Sequence, residues 1–474
     1  MPDLDYPYAF DRTHTADQLH ERFGSLEPDS DGGERARVAG RIRTVRTHGK
    51  VAFADLEDRS GRVQLFAQQS VLGDEGMEAF SELKVGDIAG AEGQIVMSKR
   101  GELSVRVEST TVLAKCLKPM PEKWHGMTDV EARHRHRYLD LLVNPETRRA
   151  LAARAIANAA IRRFFDERGF VEVETPLLQP IASGAVARPF ETHLNALDMD
   201  LYLRVAPELY LKRLLVGGQE RVYELNRSFR NEGVSARHNP EFSMLEAYEA
   251  YVDYNTTMTL VEDLVRAIAV AVTGSETIAT DGRDIDLGPA FRRISMFDAI
   301  REATDQDLQE AWKRQDAEAL RTAAADAGVE AEVNWPAGVI LAEIFEATAE
   351  RKLWQPTFVT GFPKEVSPLA KDHRDIDGFT EHADLVIGGI ELAPVYSELN
   401  DPAEQRRRFE QQAQARERGA EEVALPDEDF LEALSYGMPP AGGFGLGIDR
   451  LLSLLLGLGS IREAILFPVL KPER

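Results

Sequence analysis

The sequence has little cysteine, no long apolar run and few basic residues relative to acidic ones. Cys116 is the single cysteine in 474 residues, so an internal disulfide is excluded and a reducing compartment such as the cytoplasm fits. The segment Met1 to Arg12 has no apolar core, which argues against a secretory signal. The most apolar stretch, Leu451 to Leu458, has only the length of a buried helix, so we expect no membrane span.

Acidic residues clearly outnumber basic ones. Lys and Arg total 56 while Asp and Glu total 80, which gives a net charge of −24. Taken alone, this charge argues against a nucleic-acid partner, because phosphate binding depends on cationic side chains. A single basic face can nevertheless act locally on an acidic protein, so the charge does not exclude such a partner.

The chain divides into regions of different pattern. Residues 36–114 alternate apolar and polar side chains between turn glycines, which predicts about five short strands and a small barrel such as an OB fold. We assign 1–115 to an amino-terminal segment and this barrel, 116–144 to a hinge, and 145–474 to a second domain. Within the second domain, Ala- and Glu-rich residues at about 297–353 predict a helical insertion.

The densest cluster of polar residues lies at 222–251. A predicted strand leads into Arg230, and a second strand begins at Phe242 and carries Glu246 and Tyr248. Side chains two residues apart share one face of a strand, so this carboxylate and phenol point the same way. A hairpin held together by ordinary salt bridges is the alternative interpretation.

Two further segments carry candidate ligand-binding groups. Asp384 and Glu391 flank a pair of glycines, and two converging carboxylates can hold Mg²⁺, which prefers oxygen ligands. The alternative is that these are scattered surface acids of a strongly acidic protein. The segment 442–455 is rich in glycine and contains Arg450, which suits a nucleotide base or phosphate. It lacks the Gly-Lys-Ser/Thr ending of a P-loop, so this signal alone is weak.

Three segments together resemble the signature motifs of class II aminoacyl-tRNA synthetases. RGFVEVETPLL at 168–178 is similar to motif 1, FRNEGVSARHNPEF at 229–242 to motif 2, and GFGLGIDRL at 443–451 to motif 3. The phrases RHRYLDLL, VSPLAK and YSELND are similar to those of lysyl-tRNA synthetases. The resemblance implies an α+β fold, with an amino-terminal OB-fold barrel for the anticodon and an antiparallel catalytic sheet flanked by helices. It also implies a homodimer formed partly through motif 1.

The resemblance implies specific roles in binding ATP. Arg230 is expected to contact the α-phosphate and the amino-acid carboxylate, and with Arg450 it forms the expected catalytic pair. Phe242 and Arg450 are expected to stack on the two faces of the adenine. Further implied ATP contacts are Glu232, His238, Asn239 and Glu391. The implied Mg²⁺ ligands are Asp384 and Glu391.

The resemblance also implies an amino-acid pocket and an anticodon site. Glu208 and the backbone of Gly184 are expected to bind the α-ammonium of L-lysine, and Glu398 with Tyr248 the ε-ammonium. The implied pocket comprises Gly184, Glu208, Arg230, Glu246, Tyr248, Tyr396 and Glu398. On the barrel, the implied anticodon contacts are Arg46, Phe53 and Gln64. The alternative for Phe53 is a residue of the barrel core.

The chain departs from the family pattern around the expected substrate pocket. Where the family has Asn-Gly-Phe or Asn-Ala-Tyr, this sequence has Pro394, Val395 and Tyr396, and Ser183 replaces a usual glycine. Proline has neither the asparagine side chain nor a backbone N–H. These changes motivate the hypothesis of a divergent second copy that uses lysine or a lysine-like compound.

The leading hypothesis is therefore a cytoplasmic lysine–tRNA ligase. It would activate L-lysine with ATP and Mg²⁺ and transfer it to tRNA(Lys). The alternative is a related ligase that passes the activated amino acid to an acceptor other than tRNA, although such relatives often lack the barrel. A non-catalytic RNA-binding module would have no need of Arg230, Glu391 or Arg450.

Overall fold

The structure is a computed structural model of the 474-residue chain. It describes residues 6–121, 127–182, 184, 187–417 and 426–473. The family departure at Ser183 and the first five residues of the predicted amino-terminal segment lie outside the described residues. The chain forms two compact units, Met1–Gly126 and Met127–Arg474. Their boundary falls inside the range 116–144 that the sequence assigns to a hinge.

The first unit is a closed five-stranded barrel with strand order β1-β2-β3-β5-β4. Its strands are β1 (Asp31–His48), β2 (Val51–Glu57), β3 (Arg62–Gln68), β4 (Ile88–Met97) and β5 (Leu103–Ala114). Two helices accompany it, α1 (Ala16–Phe23) and α2 (Gln69–Ser81). The predicted OB-type barrel is confirmed. The strand pattern did not reveal α2, which joins β3 to β4.

The second unit is built on an eight-stranded sheet with the order β14-β15-β16-β17-β18-β11-β10-β6. The central strands pair antiparallel, and the parallel pairs β14/β15 and β10/β6 lie at the two edges. The strands of this sheet are β6 (Val171–Glu172), β10 (Arg221–Phe229), β11 (Glu241–Ala250), β14 (Arg292–Ser295), β15 (Thr357–Pro363), β16 (Phe379–Ile387), β17 (Ile390–Ser397) and β18 (Ala441–Gly447). Smaller sheets contain β7 (Leu178–Gln179), β8 (Phe190–Leu194), β9 (Met199–Leu203), β12 (Thr277–Thr280) and β13 (Arg283–Asp286).

Helices surround this sheet. They are α3 (Val130–Arg135), α4 (Arg137–Val143), α5 (Pro145–Asp166), α6 (Glu208–Val216), α7 (Tyr254–Thr273), α8 (Met296–Thr304), α9 (Gln309–Lys313), α10 (Ala317–Asp326), α11 (Ala337–Thr348), α12 (Pro402–Glu417), α13 (Glu428–Ser435), α14 (Ile448–Leu456) and α15 (Ile461–Ala464), with 3₁₀ turns at Glu350–Lys352 and Lys364–Val366. Helices α8 to α11 lie between β14 and β15, and they contribute to a second hydrophobic core of this unit. Among the described residues, none of these helices combines the length and apolarity needed to cross a bilayer.

The two faces of the central sheet have different chemistry. On β11, Leu245 and Ala247 join the main core together with residues of α5 and α7. Because strand side chains alternate, Glu246 and Tyr248 lie on the opposite face. That face carries most of the polar residues singled out by the sequence motifs.

Candidate active site

A buried carboxylate and a buried phenol lie side by side on β11. Glu246 and Tyr248 are each only 4% exposed, and the Tyr248 hydroxyl donates a hydrogen bond to Oε2 of Glu246 over 3.2 Å. Glu246 forms no ion pair with any described residue, so a simple salt-bridged hairpin does not describe this pair. Burial, followed by the nearby Glu208 carboxylate, raises the pKa of Glu246 to about 8, and the Tyr248 hydrogen bond opposes that rise.

Two further carboxylates meet at a buried lysine. The ammonium of Lys212 lies 2.7 Å from Oε1 of Glu208 and 2.5 Å from Oε2 of Glu398. Glu208 opens α6 and Lys212 lies one turn later, while Glu398 follows the end of β17. The sheet and α6 therefore bring together the two residues expected to bind the amino groups of the substrate.

Two glycines leave space beside these carboxylates. A Cβ atom at Gly443 would overlap Oε1 of Glu398, so only glycine on β18 allows this carboxylate its position. Gly184 has a φ of +94° and is buried, and a Cβ placed there would lie 3.7 Å from Cβ of Glu208. The backbone of Gly184 and the Glu208 side chain are therefore neighbours.

Arg230 is a partly buried cation with no acidic partner. Its guanidinium carbon lies 5.3 Å from the centre of the Phe242 ring. No ion pair or side-chain hydrogen bond joins Arg230 to another described residue, and its buried Nε atom is unpaired. A guanidinium without an acidic partner is suited to bidentate binding of a phosphate or a carboxylate.

Arg450 connects motif 3 to motif 2 and to β17. Its Nη1 donates a hydrogen bond to the carbonyl oxygen of Glu391 over 2.9 Å, and its Nη2 lies 3.3 Å from Nε2 of His238. Burial, followed by the Arg450 charge, lowers the pKa of His238. A neutral imidazole can accept a hydrogen bond from Arg450 through this nitrogen. The structure therefore brings His238, Glu391 and Arg450 together.

The carboxylates of Asp384 on β16 and Glu391 on β17 are close enough to repel each other electrostatically. Desolvation, followed by the Asp384 carboxylate, raises the pKa of Glu391, while Arg450 opposes the rise. About 42% of the Glu391 side chain is still exposed, so its carboxylate is open to a ligand. Two mutually repelling carboxylates fit the oxygen-donor chemistry of Mg²⁺. Within the described ranges, no group of three or more His, Cys, Asp or Glu side chains forms a protein-only metal cage.

Glu232 and Asn239 occupy the loop between β10 and β11. Oε1 of Glu232 accepts a hydrogen bond from the backbone N–H of Arg188 over 3.3 Å. Asn239 is only 6% exposed, and its Nδ2 donates to the carbonyl oxygen of Glu241 over 2.6 Å. The Oδ1 atom of Asn239 is buried and has no hydrogen-bond partner among the described residues. It is therefore free to accept a hydrogen bond from a ligand.

The predicted anticodon contacts lie on the outer face of the barrel. Alternation along β2 buries Ala52 and Ala54 and leaves Phe53 half-exposed, so Phe53 is not a residue of the barrel core. The Phe53 ring stacks on Phe66 of β3 with centroids 5.0 Å apart. On the same face, Oε1 of Gln64 accepts a hydrogen bond from Ser104 over 3.0 Å, and Arg46 forms an exposed 3.4 Å ion pair with Asp55.

Known protein families match both units of the chain. The family of class II tRNA synthetases (D, K and N) matches residues 129–471, and the OB-fold nucleic acid binding domain matches residues 36–113. The lysine–tRNA ligase of Moorella thermoacetica is 50% identical over 469 residues, covering 98% of this chain and 94% of that protein. The chain belongs to the lysine–tRNA ligase family.

Other members of the lysine–tRNA ligase family match equally broadly. The enzyme of Syntrophomonas wolfei is 50% identical over 464 residues, covering 98% of this chain and 92% of its own. The enzyme of Xanthomonas oryzae pv. oryzae is 50% identical over 473 residues, covering 99% and 93% respectively. These matches confirm the resemblance drawn from the three motifs.

One departure from the family pattern is visible in the sheet. Pro394 on β17 pairs with Asp384, and Tyr396 pairs with His382. The Tyr396 and His382 rings are 4.5 Å apart. Desolvation, followed by neighbouring acids that include Asp384 and Glu208, raises the pKa of Tyr396 well above its usual range. Tyr396 therefore keeps its proton and can donate a hydrogen bond within this cluster of acids.

Sequence reasoning missed two residues of this site. Lys212 was not singled out, although its spacing of four residues from Glu208 would place the two side chains one turn apart if the segment were helical. His382 was also missed, and its Nε2 lies 2.8 Å from Oδ1 of Asp384. Both residues contact predicted site residues and carry no motif of their own.

Proposed function

We propose that this chain activates L-lysine with ATP to form lysyl-adenylate and then transfers the lysyl group to tRNA(Lys). One observation, the burial of the Glu398 carboxylate, supports a cationic amino acid as the substrate. Glu398 is 1% exposed; its Oε2 is paired with the Lys212 ammonium, while its buried Oε1 accepts no hydrogen bond from a described residue. A buried carboxylate with an open oxygen selects a ligand ammonium and rejects uncharged analogues, because an uncharged side chain would leave it unpaired.

In the activation step, a carboxylate oxygen of lysine attacks the α-phosphorus of ATP. The bond from that phosphorus to the bridging oxygen of the β-phosphate breaks, and pyrophosphate leaves. The lysine carboxylate is already ionised at neutral pH, so no general base is required. Catalysis then depends on alignment and on neutralising charge. Arg230 supports this role, because its guanidinium has no acidic partner of its own among the described residues.

Adenine binding is assigned to the aromatic and basic groups around motifs 2 and 3. We assign Phe242 and Arg450 to the two faces of the ring, and His238 to the distal phosphates. We also assign Asn239, whose Oδ1 has no hydrogen-bond partner among the described residues, and the carboxylate of Glu232 to the surroundings of the adenine. When bound at Asp384 and Glu391, Mg²⁺ would supply positive charge to the triphosphate.

In the transfer step, a terminal ribose hydroxyl of the tRNA attacks the carbonyl carbon of the adenylate. The new ester forms as the bond to the phosphate oxygen breaks, and AMP leaves. The barrel supports tRNA as the acceptor. Its outer face presents Phe53 for stacking beside Gln64 and Arg46, and unpaired bases are recognised by stacking and hydrogen bonds of this kind.

We further infer that the enzyme is a homodimer and works in the cytoplasm, where tRNA and ATP are present. The motif 1 segment leaves apolar side chains exposed, with Val171 at 49% and Leu177 and Leu178 at 46% each. Such a patch is typical of a protein–protein interface. Sedimentation of wild type and Leu178→Glu tests this assignment, with a dimer expected for the first and a monomer for the second.

Two assays test the catalytic proposal. Lysine-dependent exchange of pyrophosphate into ATP should occur, and it would be absent from a protein that only binds RNA. Charging of a tRNA(Lys) transcript then separates the two kinds of ligase. Exchange without aminoacylation of the tRNA would favour the alternative ligase with another acceptor. Side-by-side exchange with lysine, ornithine and β-lysine identifies the amino acid.

A further inference from the structure

Lys212 is a fully buried cation between Glu208 and Glu398, two residues of the proposed amino-acid pocket. It has 0% exposure, and its ammonium lies 2.7 Å from Glu208 and 2.5 Å from Glu398. Nζ also lies 3.5 Å from the carbonyl oxygen of Leu369. An ammonium has three N–H donors, so these three oxygens account for all of its hydrogen-bonding capacity. Lys212 is therefore fully occupied by the protein and is not available to react with substrate.

The electrostatic balance explains how this cation is kept in the interior. Burial alone disfavours a charged ammonium, yet the Glu208 and Glu398 carboxylates outweigh that cost and raise the pKa of Lys212. The effect on Glu398 is reciprocal. Burial raises the pKa of Glu398 to about 7, and the Lys212 charge opposes that rise. Without Lys212, the buried Glu398 would be driven further toward its neutral form.

Lys212 contacts only one oxygen of each carboxylate. It pairs with Oε1 of Glu208 and Oε2 of Glu398. Oε1 of Glu398 is buried and has no hydrogen-bond partner in the described part of the chain, and it packs against Gly443, where a Cβ atom would overlap it. Glu398 thus has its second oxygen available for another cation.

We propose that Lys212 is a positioning residue for amino-acid specificity. It bridges the two carboxylates that receive the two ammonium groups of lysine, and it holds Glu398 in the orientation and charge state that bind the ε-ammonium. This inference rests on the proposed lysine-activating function. Lys212 would not touch the substrate; it would affect lysine affinity through Glu398 and have no role in the chemistry of adenylate formation.

A purely structural role makes a different prediction. If Lys212 only stabilised α6 against the sheet, its replacement would lower thermal stability and reduce lysine and ATP binding together. If Lys212 acts through Glu398, its loss would weaken lysine binding selectively. The loss would also matter far less once Glu398 no longer carries a charge. Coupling between the two side chains therefore distinguishes the roles.

The test is a double-mutant cycle on the full-length chain with Lys212→Met and Glu398→Gln, singly and together. Methionine approximates the length of lysine without its charge. Calorimetric titration with L-lysine gives Kd, and pyrophosphate exchange gives kcat and the KM for lysine and ATP. Lys364→Met is the matched control, because it removes another ion-paired lysine of the same unit, 2.7 Å from Asp372.

For Lys212→Met we expect the Kd for lysine to rise about 100-fold, while the KM for ATP and the kcat at saturating lysine stay within about threefold. In the Glu398→Gln background, the same substitution should raise the Kd less than tenfold. Lys364→Met should leave all three constants unchanged. Equal fold-changes in both backgrounds, or parallel losses of lysine and ATP affinity, would overturn the inference.

A second comparison covers the case in which Lys212→Met does not fold, and a wild-type measurement tests the proposed function separately. If Lys212→Met alone fails to fold, Glu398→Gln and the double variant, which both lack the buried Glu398 charge, are compared directly. A difference of tenfold or more in Kd between them would then count against the inference. Wild-type protein is measured first with lysine and ATP. If the wild-type protein shows no lysine-dependent exchange, the proposed function is refuted. If it shows exchange, the variants test only the role of Lys212.

Discussion

The imidazole of His382 connects a buried serine to the carboxylate of Asp384. Nε2 of His382 lies 2.8 Å from Oδ1 of Asp384, and Nδ1 lies 2.7 Å from Oγ of Ser367. A carboxylate only accepts hydrogen bonds, so Nε2 carries the proton and Nδ1 accepts from the serine hydroxyl. The ring is packed between Phe362 and Tyr396, with centroids 4.0 and 4.5 Å away. These contacts fix Oδ1 of Asp384, and no described residue donates a side-chain hydrogen bond to its other oxygen.

We expect His382→Phe to weaken metal binding while preserving the ring packing. Loss of the hydrogen bond frees Asp384 to rotate, and such supporting contacts are typically worth about 10–100-fold in metal affinity. The Mg²⁺ concentration for half-maximal pyrophosphate exchange should rise about tenfold. Mn²⁺ binding in the presence of ATP, followed by electron paramagnetic resonance, should weaken to the same extent.

His382→Gln is the matched variant for this prediction, because its amide N–H can replace the donor at Nε2. It should lie closer to wild type than His382→Phe in both measurements. If the two variants bind Mn²⁺ equally well, the hydrogen bond to Asp384 does not support the metal site.

Replacing Arg230 should reduce the rate of activation far more than it reduces stability. In the proposed function, Arg230→Met removes a donor that would stabilise developing charge on the α-phosphate, and the loss of one such donor typically costs about 10²–10³ in kcat. Because this guanidinium has no ion-pair partner among the described residues, its removal leaves no carboxylate unpaired. The measurement is kcat of lysine-dependent exchange together with the thermal midpoint.

Arg227→Met provides the control for Arg230. Arg227 lies on β10, three residues before Arg230, but it is exposed and its Nη1 is 3.8 Å from Oε1 of Glu241 at the surface. Exposed ion pairs of this kind contribute little to stability. The exchange rate and the thermal midpoint of Arg227→Met should therefore match those of the wild type. Similar losses in the two variants would argue against a phosphate contact at Arg230.

The sequence predicts the local features of this site better than its long-range ones. Period-two alternation places Glu246 and Tyr248 on one face of β11, as the structure shows. The pairing of β11 with β18, which joins Glu246 to Gly445, links segments 199 residues apart, and no local pattern encodes it. Family resemblance supplied that proximity instead. Lys212 was missed because a helical lysine is usually a surface residue, and only the tertiary structure shows that it is buried.

Loss of the partly exposed Phe53 ring on the barrel should weaken tRNA binding without affecting adenylate formation. A stacked base is worth about 1–3 kcal/mol, so Phe53→Ala should raise the KM for tRNA(Lys) about 5- to 150-fold. Activation needs only ATP and lysine, so the exchange rate should not change. Phe53→Tyr keeps the ring and should remain near wild type. An unchanged KM for Phe53→Ala would exclude Phe53 from the anticodon contact.

The buried carboxyl of Glu246 should make stability depend on pH. Its pKa is raised to about 8 in the folded chain from an ordinary value of 4.5, so the folded state holds a proton that the unfolded state releases between these limits. The contribution of Glu246 to the free energy of unfolding is therefore fully present below pH 4.5, and it is lost as the pH rises toward 8. The slope is at most about 1.4 kcal/mol per pH unit.

Glu246→Gln removes this dependence, because the amide resembles the protonated carboxyl and cannot ionise. Relative to wild type, the variant should gain thermal stability as pH rises from 6 to 8, by about 2–4 °C for each kcal/mol regained. Glu249→Gln is the control, since Glu249 lies on the same strand in a 2.7 Å ion pair with Arg221. Differential scanning calorimetry without substrates provides the measurement. A constant difference in midpoint between wild type and Glu246→Gln across this range would mean that Glu246 is already ionised in the folded protein, and the neutral Glu246–Tyr248 pair would have to be abandoned.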